Sequence, residues 1–217
     1  MKEQYENIRK DLDGLSTYDA LTALSRKDLN ISFSTSLGQE DQVITHMISA
    51  LKLPIDIFTL DTGRLFPETY ELLDKTRNKY QLPIEVFFPD SESIKNLVNT
   101  QGVNGFYDSV ENRKTCCGVR KIEPLKAALN NVDVWITGLR ASQSANRSQL
   151  SSVEWDESFN VIKFNPLINW SFDEVIDYLR SNNVPYNPLH DKGFVSIGCQ
   201  PCTRAIEPGE DLRAGRW

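Results

Sequence analysis

Ser34-Thr35-Ser36-Leu37-Gly38-Gln39-Glu40-Asp41 lies between two stretches of different periodicity. Before it, Leu29-Asn30-Ile31-Ser32-Phe33 has the β-rich character of a strand; after it, Val43, Ile44, Met47, Ile48 and Leu51 recur at helical spacing. The residues between are small and polar around one glycine, which makes them a strand-to-helix turn. Such a turn gathers several backbone N–H groups at the positive end of a helix dipole, with no bulky side chain in the way. Its natural guest is a phosphate or sulfate group. A plain capped corner would look much the same, and neither G-x-x-x-x-G-K-[ST] nor G-x-G-x-x-G occurs in the chain. The rest of the chain has to decide between the two.

Working outward, Ile55-Asp56-Ile57-Phe58-Thr59-Leu60 predicts a second strand, and Asp61-Thr62-Gly63-Arg64 leaves its carboxyl end. Pro67 opens a helix to about Tyr80, and Ile84-Glu85-Val86-Phe87-Phe88 is a third strand. This β-α-β-α-β rhythm implies an α/β fold with a parallel twisted sheet flanked by helices and right-handed crossovers. Ligands of such sheets sit beyond the carboxyl ends of the strands, where both loops fall. Asp61 there either reads a ribose hydroxyl or base edge, or caps its own turn.

A polar stretch from 90 to about 112 holds a weak helix ending at Gly102 and Gly105, and a basic helix then starts at Cys116-Cys117. Asp133-Val134-Trp135-Ile136-Thr137 predicts a fourth strand, followed by Gly138-Leu139-Arg140 and, further on, Gln143 and Arg147. These supply anion-binding side chains to the same edge of the sheet. Val161-Ile162-Lys163-Phe164 is a short strand, and Ser171 caps an amphipathic helix from Phe172 to Leu179. Trp170, Phe172 and Tyr178 read as core. Residues 2 to 28 read as one or two surface helices, capped at Ser16 or Thr17, with Leu15, Leu21 and Leu24 on one face. From Asn183 onward, repeated Pro and Gly predict a loop-dominated segment held by something other than regular structure.

The 217 residues, 40% hydrophobic, suffice for one full core and so for a single domain, with 1–28 and 183–217 as its helical and loop-rich ends. A net charge of -6 argues against a general nucleic-acid binder. No signal-like start and no membrane-length apolar run is present, so the expectation is a cytoplasmic protein with neither nucleic acid nor membrane as partner.

Four cysteines fall as two pairs, Cys116-Cys117 and Cys199-Gln200-Pro201-Cys202. In a reducing compartment that favours a metal site over disulfides, with unligated thiols as the alternative. Adjacent cysteines diverge along a helix, so bringing both to one zinc ion is strained. An iron–sulfur cluster instead presents a separate iron to each sulfur, and is preferred.

With loops and cysteines in hand, the chain resembles the assimilatory adenylyl-sulfate (APS) reductases of the APS/PAPS reductase family, from about residue 29 to the last. The resemblance is carried by Ser34 to Asp41, Leu60-Asp61-Thr62-Gly63, Lys114-Thr115-Cys116-Cys117 with Arg120-Lys121, Thr137-Gly138-Leu139-Arg140, Cys199-x-x-Cys202 and the ending Glu207-Pro208-Gly209-Glu210-Asp211-Leu212-Arg213-Ala214-Gly215-Arg216-Trp217. It implies an adenine-nucleotide α-hydrolase-like, pyrophosphate-loop fold. It implies too that adenylyl sulfate is reduced to sulfite and AMP with thioredoxin as donor, in sulfate assimilation and cysteine biosynthesis. It makes Cys116, Cys117, Cys199 and Cys202 the ligands of a 4Fe-4S cluster that is not itself the reductant.

Substrate would be bound by Ser34, Ser36, Leu37, Gly38, Leu60, Asp61, Gly63, Lys121, Gly138, Arg140, Arg147 and Arg213. Of these, Lys121 corresponds to a lysine between cluster and substrate and Arg213 to an arginine near the sulfate. The family's nucleophile is a cysteine in a Glu-Cys-Gly-Leu-His motif beyond Trp217, and no fifth cysteine is present here. The expectation is therefore a catalytic tail outside the sequence given. A 3'-phospho-APS (PAPS) reductase, or a nucleotide-binding iron–sulfur protein that is not a reductase, are the alternatives. An ATP-using transferase is less favoured, since its Ser-Gly-Gly-x-Asp-Ser loop is absent. Oligomeric state is left open.

Overall fold

A computed structural model describes residues 2–143, 151–211 and 213–217. Its centre is β1 (Ile31–Ser34), flanked by β2 (Asp56–Leu60) and β4 (Val134–Ile136). The six strands described run in the order β3-β2-β1-β4-β6-β5, with β3 at Ile84–Phe87, β6 at Val161–Phe164 and β5 at Val153–Asp156. All neighbouring pairs are parallel except β5–β6. The rhythm read from the sequence thus gives the sheet expected. The sequence reading did not include the antiparallel edge strand: Val153-Glu154-Trp155-Asp156 alternates apolar and polar, but over only four residues. It exists by pairing with β6, opposite Phe164, Lys163, Ile162 and Val161.

The central strands are covered on both faces, as parallel strands flanked by helices are, although β1 sets Ser32 and Ser34 on one of them. One face buries Phe33, Ile136, Ile162 and Phe164 under α3 (Gln39–Leu51), α8 (Phe172–Ser181) and the N-terminal helices α1 (Lys2–Leu12) and α2 (Thr17–Ser25). The other carries a smaller cluster of Phe58, Ala128 and Leu129 beneath α7 (Glu123–Ala128). Full burial of one large apolar side chain is worth roughly 1.5–3 kcal/mol, so the first face carries most of the stability. The N-terminal helices belong to it: Ile8, Leu12, Leu21 and Leu24 are buried, whereas Leu15 is exposed, so that expectation is corrected. Leu15 follows the end of α1 and precedes the cap of α2, outside the helical face it would have shared.

Between β2 and β3 lies α4 (Pro67–Tyr80), with proline in its first turn. The weak helix is α5 (Ser91–Gln101), capped by Asp90. The basic helix is broken into α6 (Val110–Cys117), a π-turn over Gly118–Ile122, and α7. The cysteine pair therefore ends one helix. Ser171 and Glu174 form a reciprocal capping box at the start of α8. Trp170 and Tyr178 pack on the core as expected, but Phe172 is exposed and turned to the cleft described below, because it occupies the first position of α8, at the rim. Beyond Asn183 the described chain has only short 3-10 turns, and a bridge between Thr203 and Arg216 closes its end on itself. Among the described residues no helix is long and apolar enough to cross a membrane.

Candidate active site

The carboxyl ends of β1, β2 and β4 open into one cleft of about 930 Å³. The loop after β1 forms its floor. Leu37 takes a left-handed conformation (φ 61°), which bends the chain so that Gly38 can cap α3 without a side-chain bond. Beneath the loop, Asp41 Oδ2 accepts from Ser36 N–H at 2.6 Å and from the Ser36 hydroxyl at 2.7 Å. Burial pushes the Asp41 carboxyl up to about 6 despite those bonds. Leu37 N–H donates to Thr35 Oγ1. The loop is thus fixed from below by its own side chains.

The loop after β4 meets it closely. A Cβ at Gly138 would overlap Asp41 Oδ1. Arg140 Nε lies 2.7 Å from Glu40 Oε1, with both side chains largely buried, and its Nη1 donates to Ser142 Oγ. Its guanidinium also faces the Phe172 ring, 5.6 Å from the centroid. This ties the start of α3 to the β4 loop. The remaining cationic wall comes from Lys121, Lys163, Arg213 and Arg216. Gly198 is held against the Arg216 guanidinium, and a Cβ there would overlap it.

Of the residues singled out in the sequence, Ser34, Ser36, Gly38, Leu60, Lys121, Gly138, Arg140 and Arg213 all line this cleft. Leu37 is buried and shapes the loop through its backbone. Asp61 is absent from the lining: its Oδ1 accepts from Gly63 N–H and the Tyr70 hydroxyl, the turn-capping alternative. Gly63, at φ 68°, admits the Arg120 guanidinium, whose Nη1 donates to Thr62 O at 2.6 Å. Arg147 falls outside the described residues, as does the side chain of Gln143. Lys163, Trp135, His190 and Arg216 were not selected although all four line the cleft. Arg216 stood in a quoted motif. Lys163 and Trp135 sit in strands, where alternation alone could have marked the face they share, and Lys163 Nζ lies 5.4 Å from the Trp135 ring centroid.

The four thiols gather beside the cleft. Thr62 Oγ1 lies 3.3 Å from Cys199 Sγ. Burial raises the Cys116 thiol, Arg120 opposes this, and Cys117 and Cys199 add to it. Burial likewise raises Cys202, followed by Cys199, with Lys121 opposing. Each pair therefore feels the other, across a sequence gap of more than eighty residues, and none is in a disulfide. Among the described residues no three His, Cys, Asp or Glu side chains converge to hold a single metal ion. An all-thiol donor set in two facing pairs, with Arg120 and Lys121 against it, fits a polynuclear iron–sulfur group.

Strand order and connections define an α/β fold of the adenine-nucleotide α-hydrolase-like type. The fold is shared at TM-score 0.62 and 16% identity with Candida glabrata FMN adenylyltransferase, over 96% of this chain and 69% of that one. Within that class the chain belongs to the phosphoadenosine phosphosulfate reductase domain family, whose model matches residues 30–205. It is 51% identical over 199 residues to the adenosine 5'-phosphosulfate reductase of Allochromatium vinosum, covering 92% of this chain and 78% of that protein. It is also similar to the phosphoadenylyl-sulfate reductase of Candida auris, crystallised as a phosphate complex. There the TM-score is 0.80 and the identity 32%, over 95% of this chain and 98% of that one.

Proposed function

We propose that the protein reduces adenylyl sulfate to sulfite and AMP, as an oxidoreductase of sulfate assimilation, with a dithiol protein of the thioredoxin type as electron donor. The observation that carries this is the meeting of the Ser34–Asp41 loop with Lys121, Lys163, Arg213 and Arg216 in one cleft beside four thiols. The loop would hold the phosphate–sulfate through the N-terminus of α3, while the β4 loop seats the nucleoside. The cations offset the anion's charge so that a thiolate can approach its sulfur, which charge repulsion would otherwise oppose.

Attack of a cysteine thiolate on that sulfur forms an S–S bond and breaks the S–O bond, releasing AMP. A donor thiolate then attacks the cysteine sulfur and expels sulfite, and the mixed disulfide resolves with the donor's second thiol. We assign the attacking thiolate to a cysteine outside residues 1–217, because Cys116, Cys117, Cys199 and Cys202 would be ligands. Those four would hold a 4Fe-4S cluster, which supplies fixed charge and a rigid tie between the cysteine pairs. Lys121 would stand between it and the substrate. A cytoplasmic location follows from the reducing conditions such thiols require.

The test is sulfite release by the full-length protein from adenylyl sulfate and from its 3'-phosphorylated form, with thioredoxin and dithiothreitol compared as donors. Release from the first and not the second bears the reading out. Preference for the 3'-phosphorylated substrate would make the protein a PAPS reductase. Nucleotide binding without sulfite would leave an iron–sulfur protein of another kind.

A further inference from the structure

We infer that Tyr107, Trp217 and Arg113 form a bracket that holds the two cysteine pairs against each other and sets how fast their iron–sulfur group is lost. The inference rests on the functional reading above, since it needs the four thiols to be ligands.

Among the described residues no strand pairing joins the segments that carry the two pairs. Cys116 and Cys117 end α6, whereas Cys199 and Cys202 lie in the loop-rich end of the chain, around a short turn at Gln200–Cys202. Contacts from the 3-10 turn Gly105–Tyr107 span the gap. That turn is fixed to α6 by Asn112 Nδ2, which donates to Gly105 O at 3.0 Å. From it the Tyr107 hydroxyl crosses to Pro201 O at 2.8 Å, between Cys199 and Cys202. Trp217 N–H donates to Cys202 O at 3.1 Å, and the Trp217 ring centroid lies 4.8 Å from that of Tyr107.

The bracket closes on the cysteine side of α6. Arg113 precedes Cys116 by three residues and Cys117 by four, so the three share one face of the helix. The Arg113 guanidinium lies over the Trp217 ring, 4.3 Å from its centroid. Arg64 adds a further tie: its carbonyl accepts from Gln200 N–H at 2.8 Å, and its guanidinium donates to Val103 O and Asn104 Oδ1. Phe106 is buried, while Tyr107 and Trp217 are 50% and 52% exposed. Rings left half in water add little to a core, so what they contribute is the link between the two cysteine segments. Two ligand pairs that share one group hold it at an effective concentration set by how rigidly they face each other. Cutting a tie leaves all four thiols in place but lets the pairs part more often, and iron escapes when they do.

Full-length protein purified without oxygen tests this, with Tyr107→Phe and Arg113→Met as variants and Tyr18→Phe, in α2, as the control. Tyr18 also loses one hydroxyl bond, that to the Tyr178 hydroxyl at 2.7 Å. Iron content is measured first, then the anaerobic fading of the visible absorbance after an iron chelator is added. Tyr107→Phe removes a hydroxyl and keeps the ring, so it should hold as much iron as the wild type and lose it about 3- to 10-fold faster. Arg113→Met should change the rate in the same direction. AMP affinity should be unchanged in all three variants, because none of these residues lines the cleft. Fading of Tyr107→Phe at the wild-type rate overturns the inference, as does equal quickening in Tyr18→Phe or a parallel fall in AMP affinity, either of which marks a general loosening. A wild type that holds iron while Tyr107→Phe matches its fading sinks this inference alone; a wild type purified free of iron sinks the cluster reading with it.

Discussion

Asp41 Oδ1 occupies the space in which a side chain at Gly138 would have to begin. The carboxylate that fixes the anion loop from below is thereby pressed against the turn that follows β4, and the two walls of the cleft share one contact.

The first consequence concerns Gly138→Ala. A methyl group cannot enter without moving either the β4 turn or Asp41, and Asp41 is held by Ser36. Overpacking of this kind costs about 1–3 kcal/mol. Denaturant unfolding should show that loss, and AMP binding should weaken by more than the loss of folded protein accounts for.

Asp41 also makes stability depend on pH. Its folded-state pKa is about 6 against an ordinary 3.8, so the folded protein holds this proton more tightly than the unfolded chain does. The stability it contributes is full below pH 3.8 and is lost as pH rises through about 6. Asp41→Asn keeps an acceptor for Ser36 but cannot ionise. Unfolding midpoints measured from pH 4 to 7.5 should show the wild type losing ground to the variant over that window.

His46 acts with the opposite sign. Its Nδ1 lies 2.8 Å from the Tyr178 hydroxyl, and burial followed by Lys79 lowers its pKa below 6.5. The folded state prefers the neutral ring, so its contribution is present above pH 6.5 and is lost as pH falls from there through the lower folded-state value. The same measurements on His46→Gln should show a shallower acid-side decline. It will not vanish, because His190 carries a shift of the same direction.

The thiols give a test that does not depend on turnover. Cys202→Ser should leave fewer than the about four irons per chain expected of a cubane cluster and bleach the visible absorbance of protein purified without oxygen. Its AMP affinity should fall less than its iron content, since Cys202 lies outside the cleft lining. Iron content equal to that of the wild type would remove Cys202 from the ligand set.

The sheet was legible because Ile31-Ser32-Phe33 and Ile55 to Leu60 are apolar enough to announce strands buried on both faces. Phe172 misled because an aromatic at helical spacing reads as core, while its position at the first turn of α8 sets it on the cleft rim. Asp61 had two roles open, and a carboxylate two residues before a glycine satisfies its own turn first. His190 left no trace in the sequence. Its place at the cleft comes from a turn that only the folded chain closes.

The cleft draws on residues from Ser34 to Arg216, and the sheet inserts β4 beside β1 a hundred positions after β1 was made. A ribosome-bound chain that has formed its first three strands already owns the phosphate loop, yet lacks one whole bank of countercharge until the last of these residues leaves the exit tunnel. Folding of the first half of the sheet thus leaves the cleft without its Lys163, Arg213 and Arg216 wall.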